Sequence, residues 1–247
     1  MSVKKILISQ SQPKAASPYD NLKEKYGTEF DFVPFFKTEP VSSREFRAEK
    51  VNILDYTAVV FSARTTIDAF FHLCEELRVK IPETMKYFCT TELVANYLQK
   101  HIVYRKRKIF YGNGTPESVI ELVGTKHKDE NFLIAISDSG NKDAITSLFE
   151  KSGLKYATGV FVKSVPQDLS GIDFKAYNAV MMFNPADVKS LFVNFPEFKQ
   201  DGLKFISYGK SVNKALDDAG IAVEVAAPNE TAPSIAKAIE VYLEAQK

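Results

Sequence analysis

The sequence predicts an α/β protein of two permuted lobes, each a parallel sheet flanked by helices, one inserted in the other and joined by a two-stranded linker. Short apolar runs alternate with segments whose apolar residues recur every three to four positions. Strands feeding helices in this way need parallel pairing and helices on both faces. Residues 56–71 also align without a gap on 177–192, pairing Tyr56 with Tyr177, Ala58 with Ala179, Val59 with Val180, Ile67 with Val188 and Phe71 with Phe192. Finally, a strand–helix–strand unit opens the chain at 4–38 and a like unit lies at 131–165. It comes first in one half and last in the other, so the halves are circularly permuted, which one inserted domain satisfies.

The first unit reads as a strand over Lys4–Ser9, a helix over Tyr19–Tyr26 ended by Gly27, and a strand over Phe30–Phe36. Glycine just past a periodic segment supplies the left-handed residue that ends helices. A linker follows over 37–42, where Pro40 favours extended chain. The inserted domain spans 43–163 and begins with an apolar run that stops at Ser62 and leads into a helix through Ile67 and Phe71. Lys86 to Thr91 is a short strand feeding a helix through Val94 and Leu98. Arg105-Lys106-Arg107-Lys108 reads as an exposed face or edge strand, and Gly112-Asn113-Gly114 as a turn. Thr115-Pro116 opens the helix to Val123, since proline suits a first helical turn. A strand over Phe132–Ser137, a helix over Asp143–Lys151 stopped by Gly153 and a strand over Lys155–Val165 complete the insert. The second linker, 164–170, contains Pro166, and 171–247 completes the outer domain with 1–36. There the run Ala179–Phe183 ends at Asn184-Pro185, Lys204–Tyr208 feeds a helix through Val212 and Leu216, and Thr231-Ala232-Pro233-Ser234 opens the last helix to Leu243.

Of 247 residues, 45% are hydrophobic and 26% charged, ordinary for a globular chain with real cores. A formal charge of +1 gives no global attraction to nucleic acid or an acidic membrane, so affinity for an anion has to be local. The apolar run within Met1 to Ile8 is too short for a signal peptide and no run spans a bilayer, which predicts a cytoplasmic protein. Cys74 and Cys89 lie in no CxxC pair nor beside histidines at metal spacing. They read as small buried hydrophobes, and no metal is expected. His72, His101 and His127 stand far apart, with His72 inside an apolar helical pattern, and read as scaffold. No Ser-His-Asp arrangement, phosphate loop or dinucleotide fingerprint occurs. Without a heptad seam, a monomer is expected.

In parallel sheets ligands bind beyond the carboxyl ends of the strands, where helix N-termini offer free N–H groups to anions. The corners so placed in the insert are Ser62-Ala63-Arg64-Thr65, Thr90-Thr91-Glu92, Gly112-Asn113-Gly114-Thr115 and Ser137-Asp138-Ser139-Gly140. Those of the outer domain are Ser9-Gln10-Ser11, Asn184-Pro185-Ala186-Asp187, Gly209-Lys210-Ser211 and Asn229-Glu230-Thr231. Any one is sufficiently explained as an ordinary N-cap. Only their joint placement around one interdomain cleft favours a ligand.

With this permuted architecture, several segments resemble the uroporphyrinogen-III synthase family, especially its divergent bacterial branch with runs like YLQKHIVYRKRKIFYGNGT (97–115). Phe61-Ser62-Ala63-Arg64-Thr65 is similar to the family's Thr-Ser corner, Phe183-Asn184-Pro185 to its Phe-Ser-Pro corner, and Tyr208-Gly209-Lys210-Ser211-Val212 to its Gly-x-Thr-Thr corner. The resemblance implies closure of the linear tetrapyrrole hydroxymethylbilane to uroporphyrinogen III, with loss of water and inversion of ring D, without metal or cofactor. It implies a substrate site built from Ser62, Ala63, Arg64, Thr65, Thr91, Ser137, Asp138, Asn184, Pro185, Ala186, Gly209, Lys210, Ser211 and Thr231. Where the family places a tyrosine in a Tyr-x-Thr-Val segment, this chain has Val162-Lys163-Ser164-Val165, which leaves Tyr208 or a bound water as proton donor. Ala63, Asn184 and Ser211-Val212 are further departures. They keep open a second reading, a catalytically impaired relative that binds tetrapyrrole or another polyanion, beside an unrelated two-lobed small-molecule binder.

Overall fold

The computed structural model describes residues 4–15, 17–140 and 143–246, so Met1 to Val3 of the N-terminal run lie outside the described residues. In chain order the elements are β1 (Lys5–Ile8), α1 (Pro18–Tyr26), β2 (Glu29–Phe32), β3 (Phe36–Pro40), α2 (Ser43–Ala48), β4 (Ala58–Phe61), α3 (Arg64–Glu76), β5 (Lys86–Cys89) and α4 (Glu92–Tyr97). There follow β6 (Ile109–Tyr111), α5 (Pro116–Val123), β7 (Asn131–Ser137), α6 (Asp143–Lys151), β8 (Lys155–Pro166), β9 (Ala179–Met182), α7 (Pro185–Asn194), β10 (Lys204–Tyr208), α8 (Lys210–Asp218), β11 (Val223–Ala227) and α9 (Ile235–Ala245). The chain divides into two compact units, Met1–Lys37 with Val165–Lys247, and Thr38–Ser164.

The first unit holds a five-stranded sheet in the order β11-β10-β9-β1-β2, the second a six-stranded sheet in the order β3-β8-β7-β4-β5-β6. Apart from β3 the two orders superpose, β9 on β4 and β1 on β7, with the chain order rotated. Ala179 lies opposite Ile6 and Lys204, just as its repeat partner Ala58 lies opposite Phe132 and Lys86. The predicted permuted α/β class therefore holds.

Central parallel strands are covered on both faces, which is why they read as unbroken apolar runs. Successive residues of β4 alternate between two cores, Val59 and Phe61 in one and Ala58 and Val60 in the other. In the first unit Ile6 and Ile8 enter one core and Leu7 the other. Cys74 and Cys89 are buried, and burial pushes both thiols up to about 12, as small inert hydrophobes require.

Three sequence expectations are corrected. The strand expected over Phe30–Phe36 ends at Phe32, because Pro34 has no N–H for the ladder, and Phe36 begins a strand of the other sheet. The linker 37–42 is extended, as expected, and is paired with the second linker. Phe35 O accepts from Gln167 N at 2.9 Å and Val41 N donates to Phe161 O at 3.0 Å, so β3 and β8 run antiparallel as a ribbon. The last helix is opened by Ser234, whose hydroxyl accepts from Lys237 N, and not by Thr231. Asn229 Oδ1 instead gathers Thr231 N, Thr231 Oγ1 and Ala232 N into a separate turn. His72 lies on the exposed face of α3 beside Glu76, since its position falls outside the apolar stripe. Helix α2, unread in the sequence, starts with Ser42 and Glu45 in a reciprocal capping box.

No helix among the described residues is long and apolar enough to cross a membrane, and none of their side chains group as a metal site.

Candidate functional site

In the six-stranded sheet the chain leaves β4 toward β5 but leaves β7 toward β8 on the opposite side, so β4 and β7 flank the point where the connections diverge. Such a switch point leaves a crevice at the carboxyl ends of the strands. A cavity of about 170 Å³ lies there, and its lining includes Ser62, Ala63, Thr65, Thr66, Thr90, Ser137 and Gly140. Gly140 permits the close approach, since a Cβ at this residue would come within 2.7 Å of Ser137 Oγ.

Helix α3 begins at this cavity without the usual protections. Ala63 offers no side-chain acceptor, the first turn contains no acid, and the Thr66 hydroxyl donates to Ala63 O at 2.8 Å rather than receiving an N–H. The first residue of the helix is instead Arg64, exposed, with its guanidinium 5.5 Å from the Tyr97 ring centroid.

The neighbouring corners are closed by their own side chains. Thr91 Oγ1 accepts from Val94 N, with Glu92 in the first turn of α4. Asp138 Oδ1 accepts from Ser164 N at 2.9 Å, and the Ser139 and Ser164 hydroxyls meet at 2.6 Å. A register shift brings Val162 opposite Ser137, but its side chain is 3% exposed and belongs to the core.

In the first unit the corresponding switch point lies between β1 and β9, and there a buried carboxylate occupies it. Asp187 Oδ2 accepts from Ser9 Oγ at 2.8 Å, Phe183 N at 2.9 Å and Asn184 N at 3.0 Å. Asp187 is 1% exposed, its Oδ1 has no partner among the described residues, and burial raises its carboxyl to about 6 against the pull of those hydrogen bonds. Asn184 Oδ1 also accepts from Ala186 N, and Pro185 begins α7, so this corner is sealed from within.

Helix α8 is the open corner of this unit. Gly209, at φ +132°, a conformation essentially confined to glycine, precedes it with no side-chain cap, and its first turn has Lys210 and no acid. Ser211 beside it is exposed. The Tyr208 hydroxyl donates to Pro233 O at 3.3 Å, a long bond, while its ring packs on the neighbouring core.

The repeat makes the contrast instructive. Helix α3 corresponds to α7 and α8 to α4. In each pair one N-terminus is sealed by its own polar side chains, and the other is open with a cation at its first residue. Among the described residues, α3 and α8 alone start with neither a capping side chain nor a first-turn acid. A cation at a helix N-terminus opposes the macrodipole, so each placement costs the helix a few tenths of a kcal/mol or more. An anionic ligand, attracted by both the free N–H groups and the side chain, reverses that cost.

Of the residues singled out in the sequence, Ser62, Ala63, Thr65 and Ser137 line one cavity, while Arg64, Thr91 and Asp138 surround it without lining it. Asn184, Pro185 and Ala186 form the sealed corner, Gly209, Lys210 and Ser211 the open one, and Thr231 a turn of its own. Thr66 was not among them, and Ser9 and Asp187 were named as corner residues but not as a pair. The spacing Asn184-x-x-Asp187 is a legible capping signal, but the burial of Asp187 is not.

Fold and corners together define a permuted two-unit α/β protein with two uncapped, cation-bearing helix N-termini. The chain matches the family model of uroporphyrinogen-III synthase HemD over residues 17–237, and it belongs to that family. The family's chemistry lies in tetrapyrrole and haem biosynthesis, and its members are lyases. Among solved structures, uroporphyrinogen-III synthetase from Helicobacter pylori is 15% identical, with a TM-score of 0.56 over 98% of this chain and 100% of that one. A mutant uroporphyrinogen III synthase from the extremely thermophilic bacterium Thermus thermophilus is 13% identical, with a TM-score of 0.52 over 99% of each chain. At these identities the likeness is one of fold. No curated protein matches the sequence.

Proposed function

We propose that the protein closes hydroxymethylbilane to uroporphyrinogen III with loss of water and inversion of ring D, and that it works mainly by positioning. The observation behind this reading is the pair of open, cation-bearing helix N-termini, α3 with Arg64 and α8 with Lys210. The substrate is a flexible polycarboxylate, and its folding for ring closure is the entropic part of the barrier. Under this reading the open corners receive carboxylates of the substrate, and Ser62, Thr65 and Ser137 supply hydroxyls beside α3. A pyrrole nitrogen lone pair expels the hydroxyl group. The C–O bond breaks and the oxygen departs with a proton as water. The substituted α-carbon of ring D attacks the resulting azafulvene to give a spiro intermediate, whose bond to the ring C methylene then breaks and re-forms at the other α-carbon of ring D, which loses its proton. The chain's own tasks are to orient ring D, exclude water and deliver the proton that leaves with the oxygen.

Tyr208 is the donor in this reading, since substrate can displace its long bond to Pro233 O. Tyr208→Phe is expected to lower kcat about tenfold or more with KM unchanged, as loss of a positioned acid does. Steady-state kinetics checks this, and an unchanged kcat assigns the proton to water.

One observation favours the second reading, a relative that binds tetrapyrrole without converting it. Val162, where the family tyrosine stands, has no proton to give and is packed in the core. Coupling the protein to hydroxymethylbilane production and separating the isomers decides between the two. Type III product above background is the expected result. Spontaneous type I alone, with tight binding of uroporphyrinogen, is the result that favours the second reading.

A further inference from the structure

We propose that Tyr97, locked by Asp68, is a positioning residue that presents the Arg64 guanidinium to an anionic ligand while leaving its charge unneutralised. This rests on the reading that Arg64 receives carboxylates of the substrate. Asp68 stands one helical turn after Arg64 on α3, at the spacing where an arginine and an aspartate ordinarily pair. Here both oxygens of Asp68 already have partners. Its Oδ2 accepts from the Tyr97 hydroxyl at 2.7 Å, and its Oδ1 accepts from Lys100 Nζ at 3.0 Å and lies 2.7 Å from His101 Nε2.

Those contacts have two effects. They hold the Tyr97 side chain at both ends, its backbone on α4 and its hydroxyl on Asp68, so the ring cannot swing. They also leave Arg64 without a carboxylate partner among the described residues. Its contact is the ring of Tyr97, at 5.5 Å from the centroid. A cation over an aromatic face is oriented without giving up its hydrogen-bond donors, whereas an ion pair would occupy them. The platform is tied to the core, because the His101 ring stacks on Phe71 with centroids 4.6 Å apart and planes 4° from parallel.

The test is a double-mutant cycle on the full-length protein with Tyr97→Leu, Arg64→Ala and the combined variant, and Tyr97→Phe as the conservative change. Tyr97→Leu is expected to raise KM for hydroxymethylbilane about three- to fivefold with kcat unchanged, the size of an exposed cation–π contact. In the Arg64→Ala background the same change is expected to do nothing, and Tyr97→Phe, which keeps the ring face but loses the hydroxyl bond to Asp68, should show part of the loss. Uroporphyrinogen titration of the wild type and these four variants reads the coupling as affinity, so it does not depend on turnover. A wild type that makes no type III isomer defeats the synthase reading alone. Equal effects of Tyr97→Leu in both backgrounds, or an Arg64→Ala variant with unchanged affinity, overturn the positioning role.

Discussion

Asp187→Asn is expected to gain about 3 kcal/mol of stability over the wild type as pH rises from about 4 to about 7. The Asp187 carboxyl is raised from its ordinary value to about 6, chiefly by burial, with three hydrogen bonds only partly offsetting it. A carboxyl whose folded pKa lies above its unfolded one stabilises the fold fully below the unfolded value, and that contribution is lost as pH rises through the folded value. The window is therefore pH 4 to 6. Other carboxylates act in the opposite sense, Glu45 and Glu240 being held down to about 2 by neighbouring lysines, so the quantity to follow is the difference between the two proteins. Urea denaturation at several pH values measures it, and a difference that does not change with pH contradicts the assignment. At pH 4 Asp187→Ala should in addition cost about 3 kcal/mol, because Ser9 Oγ and the N–H groups of Phe183 and Asn184 lose their acceptor.

The Arg64→Ala/Lys210→Ala double variant should bind hydroxymethylbilane at least about tenfold more weakly, with little change in melting temperature. Both cations are exposed at the first residues of uncapped helices, and neither makes an ion pair among the described residues. Removing them costs the fold little, because each opposes its helix dipole, while a charge-assisted hydrogen bond to a ligand is worth about 1.5 kcal/mol or more even before desolvation. Binding should also weaken with salt in the wild type and less so in the variant. Unchanged affinity in titration would remove both residues from the site.

Much of the fold was legible because the repeat is carried by residues with one structural role. Ala58-Val59-Val60-Phe61 and Ala179-Val180-Met181-Met182 are apolar throughout because each strand is buried on two faces, and their helices begin three residues later in both copies. The edge elements were less legible. Phe30 to Phe36 is as apolar as a strand, and only the missing N–H of Pro34 and the switch of Phe36 to another sheet divide it. Thr231 followed by Pro233 reads as a helix opening, but the Asn229 side chain claims Thr231 and Ser234 caps the helix.

The site was legible in outline and not in function. Ser, Thr, Asn and Asp at strand-to-helix corners look alike in a sequence, because one side chain can close its own helix or face a ligand. The sequence by itself determined the permuted pair of parallel sheets, the corners that bound them and the positions of Arg64 and Lys210. These follow from local periodicity and helix-terminal chemistry, in which each residue's neighbours in the chain supply the reason. Only the tertiary structure decided which corners are closed. Asp187 seals one because folding brings Ser9, 178 positions away, to its carboxylate, and Arg64 has no carboxylate partner among the described residues, with Tyr97, Lys100 and His101 placed on Asp68. Competition for a single carboxylate among groups distant in the chain has no local signature.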